Sequence, residues 1–97
     1  MKPIKVILDK LIEEQPLLKK EYKVKTIGIF GSYARDEQTE TSDIDVLVEF
    51  EGPVGFFKFM KLEDHLSEKL GVKVDLVTPD ALKPLIKSNI LQETVYA

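Results

Sequence analysis

Cysteine is absent from the 97-residue sequence, and histidine occurs once, as His65. Without cysteine there is no disulfide, no zinc–thiolate site and no thiol nucleophile, and a single histidine excludes a two-histidine metal site. The longest apolar runs fall far short of the ~20 residues that a membrane-spanning helix needs. Residues 1–10 alternate charged and apolar side chains and lack the apolar segment of a signal peptide. These absences predict a cytoplasmic protein with no membrane association.

Blocks of like charge are missing as well. The 14 lysines and arginines and the 17 aspartates and glutamates are spread along the chain, and the net charge is −3. Proteins that hold long nucleic acids are usually basic on at least one face, so the composition disfavours nucleic-acid binding. Because single domains usually run about 100–150 residues, we expect residues 1–97 to form one domain.

Apolar side chains recur at helical or strand spacing along the whole chain. The predicted elements are a helix from Pro3 to about Gln15, a strand at 24–30, the start of a short helix at 33–35, a strand at 43–50, a helix at 56–70 ending before Gly71, a strand at 72–77, a helix from 78 to about 89, and a closing element of open type at 90–96. The first helix is expected to stop before Pro16, because a proline disfavours helix in the preceding residue. This order predicts an α/β (α+β) fold, in which a small three-stranded mixed sheet packs helices on one face.

Three aspartates stand on the later strands. Asp43 and Asp45 are two residues apart, so their side chains leave the same face of the strand, with Cα atoms about 6.5–7 Å apart. Asp75 lies between apolar residues on the third strand and joins that face if the strands are neighbours. Strands are depleted in Asp, and Mg²⁺ takes oxygen ligands. The cluster therefore favours a magnesium site over the alternative of a solvated strand face.

Gly31 and Ser32 follow the first strand directly. Glycine lets the backbone approach a ligand closely, and a strand-to-helix turn directs free N–H groups at an anion. Ser32 adds a hydroxyl donor, and Arg35 lies one turn further on, within reach of a phosphate. An ion pair of Arg35 with Asp36 or Glu37 is the alternative. The segment is thus predicted to cradle a triphosphate.

The two motifs occur in a characteristic order. Residues 29–35 read IFGSYAR and residues 42–48 read SDIDVLV, and Asp75 follows on a later strand. This arrangement resembles the signature of the DNA polymerase beta-like nucleotidyltransferase superfamily, in which Gly-Ser is followed after about ten residues by Asp-apolar-Asp and then by a third carboxylate. The chain is similar in length to the minimal nucleotidyltransferase (MNT) family. One departure is Asp36, where similar sequences often have glycine; aspartate tolerates left-handed backbone.

The resemblance implies a single nucleotidyltransferase domain over 1–97 that transfers AMP from ATP with the help of two Mg²⁺ ions. The implied site residues are Gly31, Ser32 and Arg35 for nucleotide binding, and Asp43, Asp45 and Asp75 for metal binding and catalysis, with Asp75 also the candidate general base. Members of the family are similar to the antitoxin of prokaryotic toxin–antitoxin pairs. The implied partner is a HEPN-type ribonuclease toxin, and the implied acceptor is one of its tyrosine hydroxyls.

Two other functions stay open at the level of sequence. The chain could be a non-catalytic antitoxin that neutralises its partner by binding, although the intact aspartates argue against lost chemistry. It could also be a transferase acting on a small molecule or on an RNA end, which the short length and the negative charge respectively disfavour. Since the predicted elements use nearly all residues, the acceptor is expected to arrive on a partner protein.

For one histidine, three phenylalanines and two lysines, the sequence predicts a place in the core or on the surface. His65 is expected at the surface or at the edge of the core. The phenylalanines within 56–59 cannot all face inward on one helix, so an exposed one would mark a partner surface. Lys83 and Lys87 share a helix face, which is either solvated or borders the triphosphate.

Overall fold

The computed structural model describes residues 2–97 as three α-helices and four β-strands. In chain order the elements are α1 (Ile4–Tyr22), β1 (Val24–Phe30), β2 (Ile44–Phe50), α2 (Phe56–Leu70), β3 (Val74–Val77), α3 (Pro84–Glu93) and β4 (Val95–Tyr96), with a short 3₁₀ helix at Pro79–Ala81 before α3. Within this part of the chain, no helix is both long and apolar enough to cross a membrane.

The strands form one mixed sheet in the order β3-β2-β1-β4. β1 runs antiparallel to β2 and β4, whereas β2 and β3 are parallel. The predicted fold class is confirmed, but the predicted number of strands was too low by one. The additional strand, β4, lies in the segment whose type the sequence left open, and it pairs Val95 and Tyr96 with the edge of β1. Two residues are too few for a strand pattern to show in the sequence.

The core lies between one face of the sheet and the first two helices. Leu62, Leu66 and Leu70 of α2 are fully buried, and they recur at the four-residue spacing of one helix face. The alternate residues Ile44, Val46 and Val48 of β2 belong to the same buried cluster. The other members of the buried cluster come mainly from α1, β1, β2 and β3: Ile7, Leu11, Leu18, Tyr22, Val24, Ile27, Ile29, Tyr33, Ile44, Val46, Val48, Val74 and Leu76. α3 contributes no buried residue, so the helices that build the core are α1 and α2.

The first helix continues through Pro16, contrary to the prediction that it would end near Gln15. An interior proline removes a hydrogen bond to the carbonyl four residues earlier and costs about 3 kcal/mol or more. That carbonyl belongs to Ile12, which is 52% exposed, so water can take the place of the missing donor. Leu18 and Tyr22 are buried beyond the proline, and their contacts with the core offset the cost.

Two further helix predictions were wrong in their bounds. A helix was predicted from 78 to about 89, but the chain forms the 3₁₀ helix first and begins α3 only at Pro84. Lys83 is extended rather than helical, because the following proline disfavours helix at that residue, so Lys83 and Lys87 do not share a helix face as predicted. The predicted helix start at 33–35 is a single turn, closed by the Arg35 N–H donating to the Gly31 carbonyl at 3.1 Å. It ends at Asp36, which takes the left-handed conformation (φ 58°) that the sequence analysis allowed for it.

Gly28 of β1 makes room for the C-terminal strand. A Cβ atom at this position would lie 2.7 Å from Thr94 Cγ2 and 2.9 Å from the Val95 carbonyl oxygen. We therefore expect Gly28→Ala to push β4 from the sheet and to lower the free energy of unfolding by about 1–3 kcal/mol, the usual range for overpacking. Urea denaturation followed by circular dichroism measures this change.

Gly52→Ala is the matched control, because a Cβ there would meet nothing within 4 Å. Its free energy of unfolding should stay within about 0.5 kcal/mol of the wild type. Equal urea midpoints for the two variants would contradict the close packing of β4 against β1.

Candidate active site

The ends of three strands meet at one edge of the sheet. Because β2 runs antiparallel to β1 and parallel to β3, Asp45 pairs with Phe30 at the end of β1 and with Asp75 near the start of β3. Asp43 lies one residue before β2, two positions from Asp45. The sheet therefore brings the three predicted aspartates to the same edge, next to the turn that follows β1.

The aspartates influence one another electrostatically. Burial raises the pKa of the Asp45 carboxyl, and the negative charges of Asp75 and then Asp43 raise it further, while Arg35 acts in the opposite direction. Asp45 is half-buried, whereas Asp43 and Asp75 are exposed. Among residues 2–97, Arg35 forms ion pairs with Glu37 and Glu93 and His65 forms a hydrogen bond with Glu14, and none of these contacts neutralises the aspartates. The edge of the sheet thus carries uncompensated negative charge.

The chemistry of these donors suits a hard divalent cation. All three side chains offer carboxylate oxygens, which are the ligands that Mg²⁺ prefers. Within the described residues, however, no three His, Cys, Asp or Glu side chains converge closely enough to hold a metal ion. Repulsion between like charges favours carboxylates that are turned apart. The fold places the aspartates as neighbours, and their convergence on a cation requires side-chain rotation.

Both the backbone conformation and the available space at position 31 require glycine. It has a φ of +74°, in the left-handed region that glycine adopts without strain. A Cβ at this position would collide with the Asp45 carboxylate, whose Cγ would lie only 3.0 Å away. The backbone of the turn is therefore packed directly against the half-buried aspartate.

The turn after β1 forms a small anion-binding cradle, and a carboxylate of the same chain, that of Glu93, occupies it. The Gly31 N–H donates to Glu93 Oε2 at 2.9 Å, and Arg35 Nη1 donates to the same oxygen at 2.9 Å. Arg35 Nε donates to Glu37 Oε1 at 2.6 Å. The hydrogen bond with Glu37 is the largest influence that raises the pKa of Arg35. Ser32 is half-buried in the same turn, and its carbonyl accepts the Glu37 N–H at 2.9 Å.

These contacts show Arg35 in the ion-pair arrangement, and its role in nucleotide binding stays a prediction. Of the predicted ion-pair partners, Glu37 is confirmed, while Asp36 makes no ion pair with Arg35. Glu93, the last residue of α3, is a second partner of Arg35 that was not predicted from the sequence. No local signal marks Glu93, because it lies 58 residues from Arg35 and 62 residues from Gly31.

The remaining conspicuous residues lie on other parts of the fold. His65 pairs with Glu14 of α1 across 2.7 Å and is 19% exposed, which confirms its expected place at the edge of the core. Phe56 and Phe57 are 71% and 87% exposed, whereas Phe59 packs against the core. The phenylalanines therefore divide between core and surface, as their spacing required.

Comparison with known proteins assigns the chain to a family. Its residues 8–97 match the nucleotidyltransferase domain family, and the chain belongs to that family. It is a nucleotidyltransferase, as the order of its Gly-Ser and Asp-apolar-Asp motifs predicted, and the resemblance to the minimal members of the group is confirmed.

Two proteins show the similarity in sequence. A protein of Methanocaldococcus jannaschii, provisionally named a protein adenylyltransferase, is 55% identical over 97 residues, which cover 99% of each chain. The protein adenylyltransferase MntA of Thermococcus cleftensis is 46% identical over 79 residues, covering 81% of this chain and 80% of its own.

Solved structures show the same fold. One, provisionally described as a minimal nucleotidyltransferase, superposes with a TM-score of 0.74 at 32% identity and covers 91% of this chain and 93% of its own. Another, a crystal structure of a toxin–antitoxin with AMP-PNP, superposes with a TM-score of 0.73 at 26% identity and covers 91% of this chain and 69% of its own.

The raised pKa of Asp45 predicts a pH-dependent effect of Asp45→Asn. Folded wild type keeps the Asp45 proton to a higher pH than the unfolded chain, so ionisation of Asp45 costs stability as the pH rises from about 4 through the raised pKa. Asparagine has no such cost. Because the group is only half-buried and screened, we expect a gain of about 0.5–1 kcal/mol near neutral pH. In thermal melts with EDTA, the variant should melt a few degrees above wild type at neutral pH and level with it below about pH 4.

Asp64→Asn, on the exposed surface of α2, is the control and should show no such pH-dependent gain. Mg²⁺ and ATP should reverse the ranking, because a ligand that binds only folded wild type stabilises it by mass action. If Asp45→Asn instead melts well below wild type in EDTA, Asp45 supports the fold, and its assignment as a metal ligand loses its physical basis.

Proposed function

We propose that this chain is a magnesium-dependent adenylyltransferase that transfers AMP from ATP to a hydroxyl group of a HEPN-type toxin and thereby acts as its antitoxin. The observation that carries the proposal is the packing of an anion-binding turn against an unneutralised carboxylate, Gly31 against Asp45. A nucleoside triphosphate and its cation need these two features side by side. The names of the related adenylyltransferases and the toxin–antitoxin structure with AMP-PNP support the choice of nucleotide and partner.

The cradle supplies the contacts to the triphosphate in this proposal. The Gly31 N–H and the Arg35 guanidinium already direct donors at a single carboxylate oxygen, and a phosphate oxygen is an equivalent acceptor with more charge. The Ser32 hydroxyl lies in the same turn and adds a third donor. Because the turn is braced by backbone hydrogen bonds at Arg35 and Glu37, its donors are oriented before the nucleotide arrives.

The aspartates supply the charge for the cation and the base for the acceptor. Asp43, Asp45 and Asp75 would hold Mg²⁺, with two ions expected, and the ions would stabilise the charge on the attacking and leaving oxygens. The acceptor oxygen attacks the α-phosphorus, the bond to the bridging oxygen breaks, and pyrophosphate leaves. Asp75 takes the proton of the acceptor hydroxyl, since it is exposed at the edge of the cluster.

The acceptor is proposed to be a tyrosine of the partner. The edge that carries Asp43 and Asp75 is open to solvent, so a side chain presented by another protein can reach it. With a net charge of −3, the chain is poorly suited to bring a nucleic acid to this edge. We place the reaction in the cytoplasm, where ATP and the toxin would both be available.

The decisive experiment follows the α-phosphate. With α-labelled ATP and Mg²⁺, label should move to a HEPN-type partner and pyrophosphate should be released, whereas γ-labelled ATP should leave the partner unlabelled. Asp45→Asn should abolish the transfer, and Asp64→Asn should transfer at the wild-type rate. Label from the γ-position would make the chain a kinase, and inhibition of the toxin without any label would make it an antitoxin that acts by binding alone.

The isolated chain is expected to turn over ATP poorly. Positioning of two reactants supplies up to ~7–11 kcal/mol of barrier reduction in favourable cases, and in this proposal the partner supplies the acceptor in its position. Pyrophosphate release should therefore be slow with the chain alone and should rise by orders of magnitude when the partner is added. Fast multiple turnover without a partner, measured by a coupled pyrophosphate assay, would contradict an acceptor that arrives on another protein.

A further inference from the structure

One carboxylate occupies the cradle that the proposed function gives to a triphosphate. Glu93 Oε2 accepts the Gly31 N–H and an Arg35 N–H, each at 2.9 Å, and the Glu93 side chain is only 25% exposed. These contacts join the last residue of α3 to the turn after β1. They are the donors that an anion from solution would use.

We propose that Glu93 is an internal competitor for the phosphate cradle, and that a bound triphosphate displaces it and thereby loosens the α3–β4 segment. The identity of the displacing ligand rests on the proposed function. The competition itself rests on the contacts of Glu93, since one N–H and one guanidinium nitrogen directed at a single oxygen cannot hold a second anion in the same place.

The physical case is one of mutually exclusive acceptors. A carboxylate and a phosphate oxygen repel each other and require the same donors at the same distance. The triphosphate carries more charge and more acceptor oxygens than a single carboxylate, so it prevails at sufficient concentration. Glu93 would then have to leave the Gly31 N–H, because both acceptors need that donor and the Gly31 backbone is packed against the Asp45 carboxylate.

The segment that carries Glu93 is weakly attached to the rest of the fold. α3 has no buried residue, and β4 pairs with β1 through only two residue pairs, Gly28 with Tyr96 and Ile29 with Val95. Beyond β4, the Ala97 N–H donates to the Ile27 carbonyl at 2.9 Å. The Glu93 contacts are therefore a large share of what holds residues 84–96, and their loss should be felt along that segment.

Glu93→Gln tests the competition, with Glu37→Gln as the matched control. Both substitutions are nearly isosteric, remove one negative charge and weaken one partner of Arg35, but Glu37 does not contact the Gly31 N–H. In EDTA, we expect Glu93→Gln to bind inorganic tripolyphosphate about tenfold more tightly than wild type, equivalent to about 1.4 kcal/mol. Glu37→Gln should change this affinity much less. Isothermal titration calorimetry gives both dissociation constants.

A second measurement follows the amide signals of the wild-type chain with and without ligand, and those of the two variants without ligand. In an amide NMR spectrum, tripolyphosphate should shift the Gly31 signal, and hydrogen exchange of the α3 and β4 amides should accelerate while that of α2 stays unchanged. Glu93→Gln should move the Gly31 signal without any ligand, and Glu37→Gln should leave it near its wild-type position.

Three results would overturn the competition. They are equal tripolyphosphate affinities for the two variants, weaker binding by Glu93→Gln than by wild type, and unchanged or slower exchange in α3 and β4 when tripolyphosphate is bound. The proposed function fails by a different result, the absence of label transfer to the partner. Because the anion-binding measurements are made in EDTA and without a partner, the two failures are distinguishable.

Discussion

The contact between the backbone of Gly31 and the carboxylate of Asp45 is the constraint on which the site depends. No side chain fits at position 31, and glycine allows the chain to turn there at positive φ while its N–H donates to Glu93. The contact also fixes the register of β1 against β2, because Phe30 must lie beside Asp45. The parallel pairing of β2 with β3 then brings Asp75 to the same edge. Backbone pairing, rather than flexible side chains, places the carboxylates beside the cradle.

The clustering of aspartates beside the turn lowers the stability of the folded chain. The chain is acidic overall, and it concentrates three aspartates at one edge while directing Arg35 to glutamates instead. Burial and the neighbouring carboxylates raise the pKa of Asp45, which means that its charged form is held at a cost. The continuous apolar core on the opposite face of the sheet carries the fold. This acidic end of the sheet is thus built on strands whose other faces supply the stability.

Individual helices and strands show how much of the structure the local sequence pattern can predict. The alternation over 43–50 identified Ile44, Val46 and Val48 as buried and placed the aspartates on the opposite face, because side chains of a strand alternate between two faces. It did not show that Leu47, on the face of the aspartates, is buried as well. The helical spacing of the leucines in α2 likewise predicted its buried face. Pro16 misled the prediction for α1, since the rule that stops a helix at proline ignores burial of Leu18 and Tyr22 further on. β4 could not be predicted, because it owes its strand conformation to the free edge of β1.

The sequence by itself determined the fold class, through the order of helical and strand patterns, and the family, through the order of short motifs. It also marked Gly31, Asp43, Asp45 and Asp75 as candidate site residues, because each stands in a short, recognisable pattern. The tertiary structure decided which of those residues meet and what else joins them. Glu93 reaches the Gly31 N–H across 62 residues of chain, and no property of the segments around either residue specifies that contact. It exists because the sheet brings the end of β1 and the end of α3 together, and such proximity is a consequence of packing the whole chain.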